Sequence, residues 1–186
     1  MTEAAKVNLA TVNYHFGDKE TLFREVILRR IRPLNTLRLT LLDEACLLAG
    51  SHPPALEKII RILAEPLFDL HRSAQTGGRS FVLLLSRGLT DPFNVTQSIL
   101  EKEYHPVLNR FGQMIRRHAL HLSPEEFLWR FSFIVGAMHH TLVTLHQMTV
   151  LTRGVCRSDN YEGALARFVA HAVISFHAPP TLVPSH

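Results

Sequence analysis

Residues 7–23 read VNLATVNYHFGDKETLF, one short helical segment followed directly by the start of another. Asn8 is a favoured N-cap, and Leu9 to His15 supply two turns in which Val12 and Phe16, four residues apart, share a face. Ala10, Thr11, Asn13, Tyr14 and His15 remain for the outer side. That surface suits nucleic acid, because Asn and Thr address base edges while Tyr, His and Lys address phosphate oxygens. For Tyr14 and His15 a second reading stands beside this one: both are amphipathic and would equally cap a small core. Asp18 then caps the next helix, with Glu20 near its positive end and Leu22, Phe23, Val26 and Ile27 opening an apolar side.

Outward from this stretch the periodicity stays helical, and no run alternates apolar and polar residues as a half-buried strand would. The fold class is therefore expected to be all-α. Pro33 is expected to kink or interrupt the helix that begins at Asp18, with Leu34, Leu37, Leu41, Ala45 and Leu48 forming one face beyond it. The run Gly50, Ser51, His52, Pro53, Pro54 is the clearest break. A helix carrying Leu56, Ile59, Ile60, Leu63 and Leu67 follows, with a kink expected at Pro66 and an end before Gly77 and Gly78. A short helix is predicted over 79–88. A long one, marked by Leu100, Tyr104, Val107, Leu108, Phe111 and Ile115, should bend at Pro106. Ser123, Pro124, Glu125 and Glu126 combine an S-x-x-E capping box with proline at the first helical position. The last helix is expected to start at Asp159, and the tail over 179–186 to fray.

Composition sets the outer bounds. The 186 residues are 46% apolar and 19% charged, enough for one core plus a small appendage and too little charge for a disordered chain. Cys46 and Cys156 form no CxxC pair, which points to a reducing, cytoplasmic compartment. Net charge is +4, shared equally by residues 1–33 (six Lys/Arg, four Asp/Glu) and 34–186 (fourteen and twelve), so positive charge is denser in the short N-terminal part. The stretch 131–152 lacks any Asp, Glu, Lys or Arg and is long enough to span a bilayer. Its His139, His140, His146, Gln147 and four threonines argue instead for a helix covered by protein, so no membrane span is expected.

Ala4, Ala5, Val7, Asn8, Thr11, Val12, Tyr14, His15, Phe16, Lys19, Glu20 and Leu22 stand in register with the fingerprint of the TetR/AcrR-type transcriptional regulators, which this chain resembles. The resemblance implies a DNA-binding part over 1–33 and a helical ligand-binding and dimerisation domain over 34–178. It implies that Asn8, Leu9, Ala10, Thr11, Asn13, Tyr14 and His15 enter the major groove and that Lys19 holds a phosphate. The family's full first helix is missing ahead of this motif, so the helix-turn-helix is read as incomplete, either by assignment or cutting at an internal methionine or as a natural remnant. On that reading this polypeptide is expected to bind operator DNA poorly.

The resemblance further implies a homodimer through the last two helices, with Phe127, Phe131, Ile134, Leu145, Leu165, Phe168, Val169 and Val173 as candidate interface residues. It implies an effector pocket among the middle helices, with Phe68, Phe81, Leu85, Phe111, Ile115, Met138, His139 and Leu142 as candidate lining. That lining favours a hydrophobic or aromatic small molecule, though such stripes are more often plain core. The expected function is a regulator, acting as a repressor that a small molecule releases from its operator. The alternative is a helical homodimer that binds a small molecule or partner protein without touching DNA. Twelve histidines, His118 and His121 among them, come without a Cys or carboxylate set, so neither metal nor cofactor is expected. No GxSxG, phosphate-cradling loop or HExxH occurs, so no enzyme is expected. Cys156, between Arg153 and Arg157, is the one candidate redox thiol.

Overall fold

The computed structural model describes residues 19–73, 77–90 and 98–181, and every regular element among them is helical. The first, α1 (Lys19–Ala49), runs unbroken through Pro33. Proline costs that turn one backbone N–H, yet Pro33 faces solvent while Ile27, Ile31, Leu34, Leu42 and Ala45 are buried on the opposite side. Burial of that stripe outweighs one missing hydrogen bond. The expected interruption therefore does not occur, and the boundary drawn between 33 and 34 falls inside one helix. The inner face differs as well: Leu37 is 48% exposed and Leu48 91%, because the buried row passes through Arg38 instead.

Gly50, at φ +65°, takes the left-handed turn that ends α1. Then α2 (Leu56–Arg72) forms the hub, packing on every other helix of the fold. Ile59, Ile60, Ile62, Leu63, Ala64, Pro66, Leu67 and Phe68 are all buried, which leaves α2 apolar on most sides, as a helix at the centre of a bundle must be. The helix continues through Pro66. At the start of α3 (Gly78–Thr90) the chain passes so close to α2 that a Cβ on Gly78 would lie 1.6 Å from the Leu70 carbonyl oxygen.

Pro106, expected to bend the interior of a long helix, stands instead at the second position of a helix that follows a π-helical turn. The turn spans Leu100–Tyr104, and the helix, α4, spans His105–Arg116. The wide turn absorbs the backbone donor that proline lacks. It also turns Tyr104 into the core, at 4% exposure.

Ser123 caps α5 (Pro124–Leu151), its hydroxyl accepting from the Glu126 amide at 3.1 Å. Glu126 does not close the box by reaching back. Its carboxylate accepts from Arg130 Nε at 2.8 Å and from the Thr181 hydroxyl at 2.8 Å. The Arg130 guanidinium, 8% exposed, also donates to the carbonyls of Ser175 (2.5 Å), Ala178 (2.9 Å) and Pro179 (2.6 Å). This clamp ties the start of α5 to the end of α6 (Tyr161–His177), so residues 179–181 are held rather than frayed. The cap of α6 is Asn160, accepting from Gly163 at 2.9 Å, while Asp159 is occupied by Arg157. Among the described residues, no helix is long and apolar enough to cross a membrane.

Candidate functional site

The inner row of α1 runs Ile27, Ile31, Leu34, Arg38, Leu42, Ala45, and its fourth member carries a charge. Arg38 is 1% exposed, and among the described residues its Nε and Nη2 have no hydrogen-bond partner. Its own helix and two other elements bring polar groups to it. Asn35, one turn earlier, donates from Nδ2 to the Glu103 carbonyl at 2.7 Å and leaves Oδ1 unpartnered. The π turn contributes the Tyr104 hydroxyl, and α5 contributes His139, 5% exposed with both ring nitrogens unpartnered. The Tyr104 and His139 rings lie 6.3 Å apart, centroid to centroid.

The electrostatics follow from burial. Loss of water lowers Arg38 to about 10, which leaves it charged at neutral pH, with Tyr104 opposing the shift. Burial raises the Tyr104 phenol, partly offset by the Arg38 charge. His139 is pushed down to about 4 by burial first and by the Arg38 charge second, so its imidazole is neutral at pH 7. A permanent cation is thus surrounded by neutral polar groups inside an apolar core.

Of the expected lining residues, Phe68, Phe81, Leu85, Phe111, Ile115, Met138, His139 and Leu142 are all buried, at 5% exposure or less. Only His139 belongs to the polar cluster. Arg38 and Tyr104 escaped the sequence reading, although a charged residue in an otherwise apolar i, i+4 ladder was a visible signal for Arg38. Tyr104 reads as one more apolar position until the π turn rotates it inward.

Among the expected interface residues, Phe127, Ile134, Leu145, Leu165, Phe168 and Val169 are buried within the protomer, and Phe131 and Val173 are half-buried. Phe168 packs on Phe68 at 6.2 Å, and Phe127 on Phe176 at 5.7 Å. These side chains are occupied by their own chain. The exposed apolar groups of α5 and α6 lie elsewhere: Leu128, Trp129, Phe133, Leu151 and Ile174 are each more than half exposed, with Trp129 and Phe133 rings 5.8 Å apart. An open groove of about 560 Å³ lies beside this surface, between α4 and α5, with Leu108, Gly112, Phe127 and Phe131 in its walls. A second, of about 570 Å³ and containing His140, Cys156, Arg167 and His171, lies between α5 and α6. Neither groove is lined by Arg38, Tyr104 or His139.

The candidates at the N-terminus, Asn8, Leu9, Ala10, Thr11, Asn13, Tyr14 and His15, lie outside the described residues, and Lys19 is the first residue of α1. His118 and His121 contact carbonyl oxygens, of Pro54 at 2.8 Å and Ala178 at 3.1 Å. Among the described residues, no three His, Cys, Asp or Glu side chains gather as a metal site would require.

The described residues form a helical bundle around one apolar hub, with a buried cation, Arg38, on the helix that covers it. The family model for the tetracyclin repressor-like C-terminal domain matches residues 61–173, from α2 through α6, and the chain belongs to that family of TetR-like regulators. No curated protein matches the chain.

Proposed function

We propose that this protein is a ligand-responsive transcriptional regulator of the cytoplasm: a homodimer whose helical domain binds a small apolar effector and whose N-terminal segment holds operator DNA until the effector releases it. The observation that carries the reading is the unpartnered Arg38–Tyr104–His139 cluster, since a folded domain keeps buried polar groups without partners only where something else satisfies them. The effector is bound and not transformed.

The coupling rests on α1. Arg38 stands nineteen residues after Lys19 on an uninterrupted helix, a separation of about 28 Å at 1.5 Å per residue. An effector that draws Arg38 toward Tyr104 and His139 favours one tilt of α1, and a rigid rod carries that tilt to the segment that resembles a DNA reader. Dimerisation through the exposed Trp129–Phe133 surface of α5 sets the distance between two such segments, as a two-half-site operator demands.

The test is selection of the protein's targets from a random duplex pool, followed by competition with small molecules. A paired half-site should be enriched, and an effector that raises the melting temperature of the protein should lower its DNA affinity by about 5- to 150-fold, the usual range of such coupling. This polypeptide, read as carrying an incomplete helix-turn-helix, should enrich that site only weakly and at low salt; enrichment of no sequence even there would favour the alternative, a helical homodimer that binds a small molecule or partner protein without touching DNA.

A further inference from the structure

We infer that the effector is an apolar monocarboxylate, seated with its carboxylate side-on against Nε and Nη2 of Arg38 and closed over by Tyr104 and His139. This deepens the effector reading above and rests on it for the regulatory consequence alone.

Nε and Nη2 form one edge of the guanidinium, the edge whose two N–H bonds run parallel and match the two oxygens of a carboxylate. The same fork is already filled elsewhere in this protein: Arg157 places Nε 3.0 Å and Nη2 2.6 Å from the two oxygens of Asp159. In Arg38 it is buried, and among the described residues it has no hydrogen-bond partner. Among the described residues nothing supplies an anion to it. Glu103, next to Tyr104, gives its carboxylate to Arg32 at 2.9 and 3.0 Å and its carbonyl to Asn35. Among the described residues no carboxylate is hydrogen-bonded to Arg38.

The remaining groups agree in sign. Besides the Arg38 fork, Tyr104 offers an O–H and neutral His139 offers one N–H, against three acceptors, Asn35 Oδ1, the Tyr104 hydroxyl oxygen and the other His139 nitrogen. Donors and positive charge are in excess, so an anion completes the set. One cation balances one negative charge, which favours a carboxylate over a phosphate dianion. The body of the ligand is apolar because the neighbours along each helix are: Leu34 and Leu42 flank Arg38, Met138 and Leu142 flank His139, and Val107 follows Tyr104, all of them buried.

The probes are decanoate, dodecanoate, phenylacetate and 1-naphthoate, each beside its primary amide, titrated into the full chain by calorimetry and thermal melting. At least one carboxylate should bind and raise the melting temperature, with its amide about 100-fold weaker. Arg38→Met should lose about 100-fold in carboxylate affinity and, ligand-free, should melt above the parent, because it removes an uncompensated buried charge. Tyr104→Phe keeps the fork and should lose about 10-fold, which holds the test open if Arg38→Met fails to fold. Amides that bind as well as the acids, carboxylate affinity unchanged in Arg38→Met, or no binding by any carboxylate would each overturn the inference. Arg38-dependent carboxylate binding that leaves DNA affinity untouched would sustain it and remove the regulatory reading. Release of DNA by an amide, independent of Arg38, would do the reverse.

Discussion

Arg130→Met should destabilise the domain by about 4 kcal/mol, because it removes a buried guanidinium that donates charged hydrogen bonds to three carbonyls. Methionine keeps the apolar stem and removes the guanidinium alone. What it strips away is specific: the donors to the Ser175, Ala178 and Pro179 carbonyls at the end of α6, and the partner of Glu126. Those carbonyls sit at the negative end of the helix dipole, so the lost cation was also favourably placed against the field of α6. Each charged hydrogen bond is worth about 1.5–3 kcal/mol net, and their sum exceeds the expected loss since they share one side chain and are not additive. For a domain of this size about 4 kcal/mol lowers the melting temperature by roughly 8–16 °C. Urea denaturation and calorimetry of the two proteins at pH 7 measure it. Arg130→Lys, which keeps the charge and loses the fork, should fall between them. A loss below about 1 kcal/mol for Arg130→Met would refute the clamp as the device that joins α5 to α6.

Three further outcomes are expected. Since His139 is held at about 4 in the folded protein and lies near 6.5 when unfolded, the unfolded chain takes up a proton first, and about 3 kcal/mol of stability should be lost as pH falls from 6.5 to 4. His139→Leu should flatten that part of the urea-midpoint profile; an unchanged slope would show that another group governs it. Gly78→Ala forces a methyl against backbone at the α2–α3 contact and should cost about 3 kcal/mol or more by urea titration, whereas an alanine tolerated within 1 kcal/mol would mean the two helices separate easily. Phe133→Glu places a charge on the exposed surface of α5 and should convert a dimer to a monomer in sedimentation at micromolar concentration, with the circular dichroism of the parent retained.

The helices themselves were legible because their punctuation is local: Ser123 ahead of Pro124, the Gly50–Pro54 break and the apolar rows all act within a few residues. Membership of the family was legible too, from a motif that lies almost wholly outside the described residues, and the match over α2 to α6 agrees with it. What failed was tertiary. Pro33 reads as a breaker, and only the burial of Ile27, Ile31, Leu34 and Leu42 against the hub explains why it does not break. Phe127, Ile134 and Val169, expected at a dimer interface, are buried within the protomer, a matter of tertiary packing that an apolar stripe does not announce. The site was half legible: His139 was visible as a polar handle, whereas Arg38 sat in a row assigned to leucines one position away.

The continuity of α1 bears on how such a protein is divided and recombined. Residues 61–173 contain Tyr104 and His139 and lack Arg38, which arrives on a helix that begins at Lys19, next in sequence to the segment that resembles a DNA reader. A module cut at residue 61 would lose the first turn of the hub helix, with Leu56, Ile59 and Ile60, and the row that covers it, together with the cation of the cluster. An exchange of N-terminal parts joined there would transfer Arg38 with the N-terminal part, so under the proposed function specificity for ligand and for DNA would be inherited as one piece. A junction before Ile27 keeps sensor and anchor together and leaves the reader free to change.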